Sequence, residues 1–509
     1  MGYDLLLKNG NIITMDTTLS RKKWVGVKDG IIAAIGNSEH VPESAKKIID
    51  LKGKTVLPGL IDSHVHVMLS GLYLNAVNLE NAKSIDEILR MMEEACKGQD
   101  NDTWVFGVGL LVPNIKEGRF PNKWELDRVS GKHPVAIFAA TLHGCGVNSK
   151  GLEYADVPLD TPGVEIENGE VVGTFLSDES SFLATSNIMG KLSDEALLGF
   201  IQDCTKHASS KGVTTIHGLY GQFVKDDKDL HLSLTKEKSF PVDIVTFYQT
   251  WNIEDVKKLN LPRIGGCLTL DGALFENTMA MFEPYLDRPE LRGILYHTDE
   301  EVYQLASQAN SEGIQCSMHA VGGRAIDQLI YAYDRVIKEQ GDKGLRHRIE
   351  HFCQPTPRHI EMAAELGIIL SMQPGFTYLW DRSEGGPFEM AIGRERADQM
   401  DPFNKVIEKG CMVCGGSDSP VTKIEPLVDI AACVNNPNPV RNISLTDAIK
   451  MFTINGAYAG HLEETKGSIE VKKDADMVVI DCDPYNLENN IYDMNVEMTI
   501  KGGSVVYEK

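Results

Sequence analysis

Two histidines one residue apart, His64 and His66, close the segment VLPGLIDSHVH at residues 56–66. An apolar run enters a Pro-Gly turn there and continues as a short strand. Alternate residues of a strand face the same way, so both imidazoles point at one spot, the arrangement a metal ion needs. With 14 His in 509 residues, an HxH arises by chance roughly 0.4 times, and two exposed turn histidines are the plain alternative. The weight falls on what else converges on the same place.

The elements that would position these residues are legible as a series. After LPGLIDSHVH come GVTTIHG (212–218), VDIVTFYQ (242–249), RIGGCLTLDG (263–272), IQCSMHA (314–320), RHRIEHF (346–352), GIILSMQP (367–374) and MVCGGSD (412–418). Helical patterns such as EEVYQLASQANSEG and PRHIEMAAELG separate most of them. This alternation predicts a (β/α)8 barrel of the TIM type, in which chemistry sits at the carboxyl ends of the strands. His64 and His66 end the first strand, Cys267 lies in the fourth, His319 ends the fifth, His351 the sixth and Asp418 the eighth. That ordered coincidence is far more specific than any single motif. Taken one at a time, His319 and His351 would be hydrogen-bonded core histidines and Cys267 a small buried apolar residue. Asp418, between Ser417 and Ser419 and before Pro420, would suit a helix N-cap.

About 150 residues lie between the first and second of these strands, far more than one crossover requires, so an inserted subdomain is expected. Inside it, SIDEILRMMEEACKG sets Ser84 and Glu87 in capping-box relation ahead of apolar residues at helical spacing, and PVAIFAATLHGCGVNS reads as a strand and loop. Residues 4–56 and the end of the chain share a different texture: short strands punctuated by Asn9-Gly10, Asp29-Gly30 and Gly502-Gly503, all hairpin signals. Neither terminal piece is long enough to bury a sheet face alone. The expected architecture is therefore an α/β chain with a discontinuous β-sandwich from both termini (1–57 plus 461–509), a (β/α)8 barrel (58–68 plus 205–460) and an inserted α+β subdomain (69–204).

Composition narrows the classes. The hydrophobic content of 42% over 509 residues is ample for a large core, and the net charge of −23 repels a nucleic-acid backbone or an anionic membrane. Ten cysteines are scattered, with Cys411 and Cys414 as the lone CxxC, which suits reduced thiols in a cytoplasmic setting. The N-terminus is acidic at Asp4 and carries only a three-Leu run, so neither a signal peptide nor a membrane span is expected; Leu6 stands where a myristoylation motif wants Ser or Thr.

At these residues the chain resembles the amidohydrolase superfamily, and within it the YtcJ-like branch (amidohydrolase family 3) that includes formamide deformylases. The resemblance spans nearly the whole chain: PGLIDSHVH, GVTTIHG, the DGAL run at 271–274, HAVGGRAID, HRIEHF, SMQP and GGSDSPV. It implies hydrolysis by a metal-activated water, most naturally of a C–N bond in an amide, an N-formyl or N-acyl amine or a cyclic amide. It carries ligand roles onto His64, His66, His319, His351 and Asp418, and the role of general base onto Asp418. Many relatives bridge two metals with a carbamylated lysine on strand four, where this chain has Cys267. One thiolate sulfur can also bridge and would favour zinc, so one or two Zn2+ ions are expected, with a binuclear centre bridged by Cys267 preferred. A second departure is Gly323, where relatives often carry Asp after the HAxG of strand five.

Substrate contacts are expected from His143, which resembles a substrate-contacting histidine of the branch, and from His217, for which a structural role is the equal alternative. Trp251, Tyr248, Phe376, Tyr378 and Trp380 follow strands three and seven and would wall an apolar pocket; Arg382, Arg394 and Arg396 would meet a substrate carboxylate. Plain packing and solvated arginines are the bland readings. A deaminase or decarboxylase of the same superfamily is the rival reaction, although deaminases typically need a Glu at position 322, which is Gly here. A non-catalytic scaffold is the rival class, disfavoured by the full ligand set. The expected partner is a small molecule, with neither nucleic acid nor membrane; a homodimer is common among related enzymes.

Overall fold

A computed structural model of the chain describes residues 2–37, 44–286, 288–381, 384–486, 488 and 490–509. Two compact units emerge: Met1–Val65, Thr205–Leu219 and Glu237–Lys509 form one, His66–Cys204 and Tyr220–Lys236 the other. The terminal strands and the barrel strands thus share a unit, and the inserted unit takes in a short second piece after the barrel's second strand.

The barrel strands are β1 (Leu60–His66), β2 (Val213–Tyr220), β3 (Asp243–Tyr248), β4 (Arg263–Thr269), β5 (Gln315–Ala320), β6 (Arg348–His351), β7 (Ile369–Met372) and β8 (Met412–Gly415). They form one eight-stranded sheet in sequence order. A parallel bridge between Val65 and Ser419 and a bond from Asp418 N–H to the His64 carbonyl (2.9 Å) bring its two edges together. The division between units falls after Val65, inside β1, which belongs whole to this sheet. Every residue of β1 and β2 is buried, as strands covered on both faces must be. Helices Asp299–Glu312 and Pro357–Glu365 follow where the amphipathic patterns put them.

The two ends of the chain build a four-stranded sheet and a six-stranded sheet. Leu5, Leu7, Val25, Val27 and Ile32 pack with Ile12, Val56, Met477, Val479 and Ile500 in one apolar core. Asp29-Gly30 and Gly502-Gly503 are hairpin turns with both central residues at positive φ, the geometry that matches strand twist. Asn9-Gly10 is not a hairpin. Tyr3–Lys8 lies in one sheet and Asn11–Ile13 in the other, so the turn hands the chain across, and Asn11 N–H goes to Lys54 O. In the inserted unit a six-stranded sheet packs on helix Ile85–Cys96 through Leu79, Ile88, Met92, Val105 and Ile137. Ser84 caps that helix at Glu87 N, while the Glu87 carboxylate reaches Lys83 N rather than Ser84 N.

A buried cation ties the terminal strands to the barrel within their common unit. Lys466 Nζ meets Asp476 at 2.5 Å, Asp243 at 2.8 Å and Asp474 at 3.1 Å, with only 8% of its side chain exposed. Asp243 begins β3 and Asp476 precedes strand Met477–Ile480. Lys466→Met leaves the buried Asp476 and its neighbour Asp474 without their counter-charge, while Asp243 keeps Lys501 at 2.7 Å, and is expected to cost about 3 kcal/mol, the lower end for breaking a buried pair. Urea denaturation of the variant beside wild type checks this.

Candidate metal centre

His64 is fully buried near the carboxyl end of β1. Its Nδ1 lies 2.7 Å from Glu350 Oε2 and its Nε2 3.2 Å from Asp418 Oδ1. Glu350 is held from its other side by Arg348, which stands two residues earlier on β6 and therefore faces the same way. Arg348 Nε and Nη2 donate to the two Glu350 oxygens at 2.8 and 2.9 Å, and Ser317 Oγ from β5 donates to Oε1. Burial alone would push the Glu350 carboxyl up, yet the Arg348 guanidinium and His64 hold it well below the ordinary range. Burial likewise disfavours a charged His64, but Asp418, Cys267 and Glu350 raise its pKa well above the usual value. The surroundings of His64 are strongly electronegative, the environment a cation prefers.

Across the mouth, Cys267 Sγ on β4 sits 3.6 Å from His319 Nδ1 on β5 and 3.7 Å from His351 Nε2 on β6. The far nitrogen of each histidine is engaged. His351 Nδ1 meets Gln373 Oε1 at 2.8 Å, and His319 Nε2 lies 3.5 Å from Gly272 O and 3.6 Å from Asp271 Oδ1. Outer contacts of this kind fix which nitrogen each ring turns inward. His351 and Phe352 have φ of +73° and +52°, and Asp418 has φ of +55°. Left-handed backbone at bulky, non-glycine residues is uncommon and concentrates at functional sites.

Two groups of donors result. One atom each from His64, Cys267 and His351 lies within 4.8 Å of the others, and so does one atom each from His64, His66 and Asp418, all of them buried. His66 is the last residue of β1, two places beyond His64. Imidazole, thiolate and carboxylate donors at this spacing fit a divalent transition metal such as zinc. Asp418 is not a helix N-cap: the next helix, Pro426–Val434, starts after Glu425.

The remaining expectations fare differently. Phe376, on helix Pro374–Trp380, stacks on His351 with ring centroids 6.0 Å apart, and Trp380 packs on Phe376. Both belong to an apolar cluster with Leu274, Met279, Met281 and Phe388 over this part of the mouth. Tyr248 is buried at the end of β3. Trp251 is 36% exposed and stacks on His297, and Tyr378 is 38% exposed and stacks on Tyr492. Neither is brought to the metal-capable groups by any contact among the described residues. His217 is fully buried; its Nδ1 accepts from Arg348 Nη1 at 2.7 Å, and burial together with Arg348 and Arg263 holds its pKa well below the usual value. That contact fits the structural alternative for His217 and makes its Nδ1 an acceptor. Arg394 is engaged by Asp381, Glu389 and Asp398, and Arg396 by the carbonyls of Ile392 and Pro284. Arg382 lies outside the described residues. In the inserted unit His143 contacts Phe182, Phe182 contacts Phe223, and Phe223 packs edge-on to His66, with centroids 5.0–5.7 Å apart. A file of rings thus runs from His143 to His66 within that unit.

Sequence reasoning passed over Glu350, Arg348, Gln373 and Asp271. The first two carried a signal: Arg348 and Glu350 alternate in HRIEHF inside a strand that must be buried, and a buried charge implies a partner. Asp271 is fully buried; burial pushes its carboxyl up while His319 and three backbone amides oppose this. Its oxygens accept from Val321 N at 3.0 Å and from Ala280 N and Gly322 N at 2.8 Å, pinning the segment after β4 to the end of β5 beside His319.

The profile of the amidohydrolase family matches residues 47–507. The chain belongs to the amidohydrolase family. It is 28% identical to the putative amidohydrolase YtcJ of Bacillus subtilis, over 98% of each chain. It is 25% identical to the N-substituted formamide deformylase of Arthrobacter pascens, over 99% of this chain and 98% of that one. An uncharacterized metal-dependent hydrolase from Pyrococcus horikoshii has the same fold, with TM-score 0.78 at 24% identity over 95% of this chain and 98% of that one. This amidohydrolase is thus a hydrolase by family. Among its described residues no helix is long and apolar enough to cross a membrane.

Asp271→Ala removes three backbone hydrogen bonds to a buried carboxylate and is expected to cost about 3 kcal/mol. A lowered urea midpoint with unchanged slope checks it.

Proposed function

We propose that this amidohydrolase cleaves a C–N bond of a small molecule, in an amide, an N-formyl or N-acyl amine or a cyclic amide, at a zinc centre. The observation that carries the reading is the position of His64 in both donor groups, one with His66 and Asp418, the other with Cys267 and His351. Two adjoining sites are the natural consequence. Cys267, in contact with His319 and His351 and grouped with His64, is suited to lie between them. The formamide deformylase and YtcJ relatives support the C–N assignment.

When bound, the metal supplies Lewis acidity and lowers the pKa of a coordinated water from 15.7 to about 7. Asp418 then acts as the general base: its carboxylate, 3.2 Å from His64 Nε2, accepts the proton of the attacking water and returns it to the leaving amine. Phe376 and its apolar neighbours exclude water on the His351 side, which strengthens the electrostatic interactions inside.

A specific observation weighs against the deaminase alternative. A Cβ at Gly322 would stand 2.2 Å from the Ala280 carbonyl oxygen, so a Glu side chain cannot be accommodated there without moving backbone. Position 323 is similarly closed: a Cβ would meet the Phe282 ring at 2.9 Å and Gln354 O at 3.2 Å, so the Asp of relatives has no room.

Asp418→Asn is expected to retain metal while turnover of an N-substituted formamide or other amide falls at least 1000-fold; a variant that keeps wild-type turnover refutes the role. Cys267→Ser is expected to lower metal content from near two ions per chain toward one. Equal content in both proteins would make Cys267 a packing residue.

A further inference from the structure

We propose that Glu350, charged and clamped by Arg348, is the positioning residue that presents His64 to the metal. The inference rests on the reading of His64 as a ligand. An ionised carboxylate only accepts hydrogen bonds. The 2.7 Å contact between Glu350 Oε2 and His64 Nδ1 therefore keeps a proton on Nδ1 and leaves Nε2, which faces Asp418 at 3.2 Å, as the nitrogen whose lone pair a metal would take. A carboxylate at Nδ1 also raises the basicity of Nε2 as a ligand.

The clamp is built from several strands. Arg348 grips both oxygens of Glu350, donates through Nη2 to Ser63 O at 2.8 Å on the strand that bears His64, and donates through Nη1 to His217 Nδ1 at 2.7 Å on β2. Its guanidinium lies 4.6 Å over the Phe247 ring of β3. His217, accepting at Nδ1, is neutral and carries its proton on Nε2. Neither Arg348 nor Glu350 has any exposure.

Packing alone does not call for such a pair, because barrel interiors are ordinarily filled by branched apolar side chains and a buried ion pair is often no more stabilising than an apolar replacement. What the pair provides that Met or Leu could not is a fixed negative charge at one ring nitrogen. Among the described residues Glu350 hydrogen-bonds to His64 alone of the six donors, while His351, the next residue, meets Cys267.

The test measures zinc affinity by competition with a chromophoric chelator, on the full chain stripped of metal. Glu350→Gln leaves Arg348 buried without its counter-charge, so the neutral double variant Arg348→Met/Glu350→Gln and the charge-retaining Glu350→Asp are measured beside it. Zinc Kd is expected to rise roughly 10–100-fold in the folded Gln variants and to a smaller degree in Glu350→Asp, with activity recovering as zinc is raised. A purely structural role would lower the unfolding temperature and leave Kd where it was; folded variants with wild-type Kd overturn the proposal. A wild-type chain that takes up no zinc or other divalent transition metal overturns the ligand reading and this inference together. A wild type that binds metal beside unaffected variants overturns this inference alone.

Discussion

His64 has two ring nitrogens, and the site depends on both being committed in opposite directions. One faces the Glu350 carboxylate at 2.7 Å, the other the Asp418 carboxylate at 3.2 Å. The ring is therefore a rigid link between a charge network inside the barrel and the donors at its mouth. Arg348 makes that link affordable by neutralising Glu350 where water cannot reach. Remove the network and the ring would be free to turn, taking with it the one residue common to both donor groups.

The backbone contributes a second constraint. His351, Phe352 and Asp418 all adopt positive φ, at about 1–3 kcal/mol apiece for non-glycine residues. The surroundings hold them there: Phe352 N bonds back to Ala320 O, Asp418 N to His64 O, and Val421 N to Asp418 O. Without these turns the strict alternation of β6 would set His351 and Glu350 on opposite faces. With them, Glu350 serves His64 while His351 meets Cys267.

Much of this was legible in the residues. All eight barrel strands stand out as apolar segments with turn residues at their ends, and each ligand candidate falls at or near a strand's carboxyl end because the fold's geometry demands it. The limits have physical causes. Asn9-Gly10 has the residues of a hairpin turn, but turn propensity says nothing about which sheet receives the next strand. Trp251 and Tyr378 follow the right strands yet spend their ring faces on His297 and Tyr492, because residue type does not encode the direction of a loop. His217 has a ligand's chemistry and a strand's placement, and an arginine four strands further along the sheet claims it. Glu350 and Arg348 were hidden for the opposite reason: beside His351 they read as ordinary strand charges, and only the long-range hydrogen bonds of their side chains to His64 and Ser63 on β1 give them a function.

The most direct test of the account is anomalous diffraction at the zinc edge from crystals of the zinc-loaded protein. Two peaks are expected, one bounded by His64, His66 and Asp418, the other by His319 and His351, with Cys267 Sγ between them. A single peak away from Cys267 would contradict the bridged pair, and no peak within coordination distance of His64 would contradict the account as a whole.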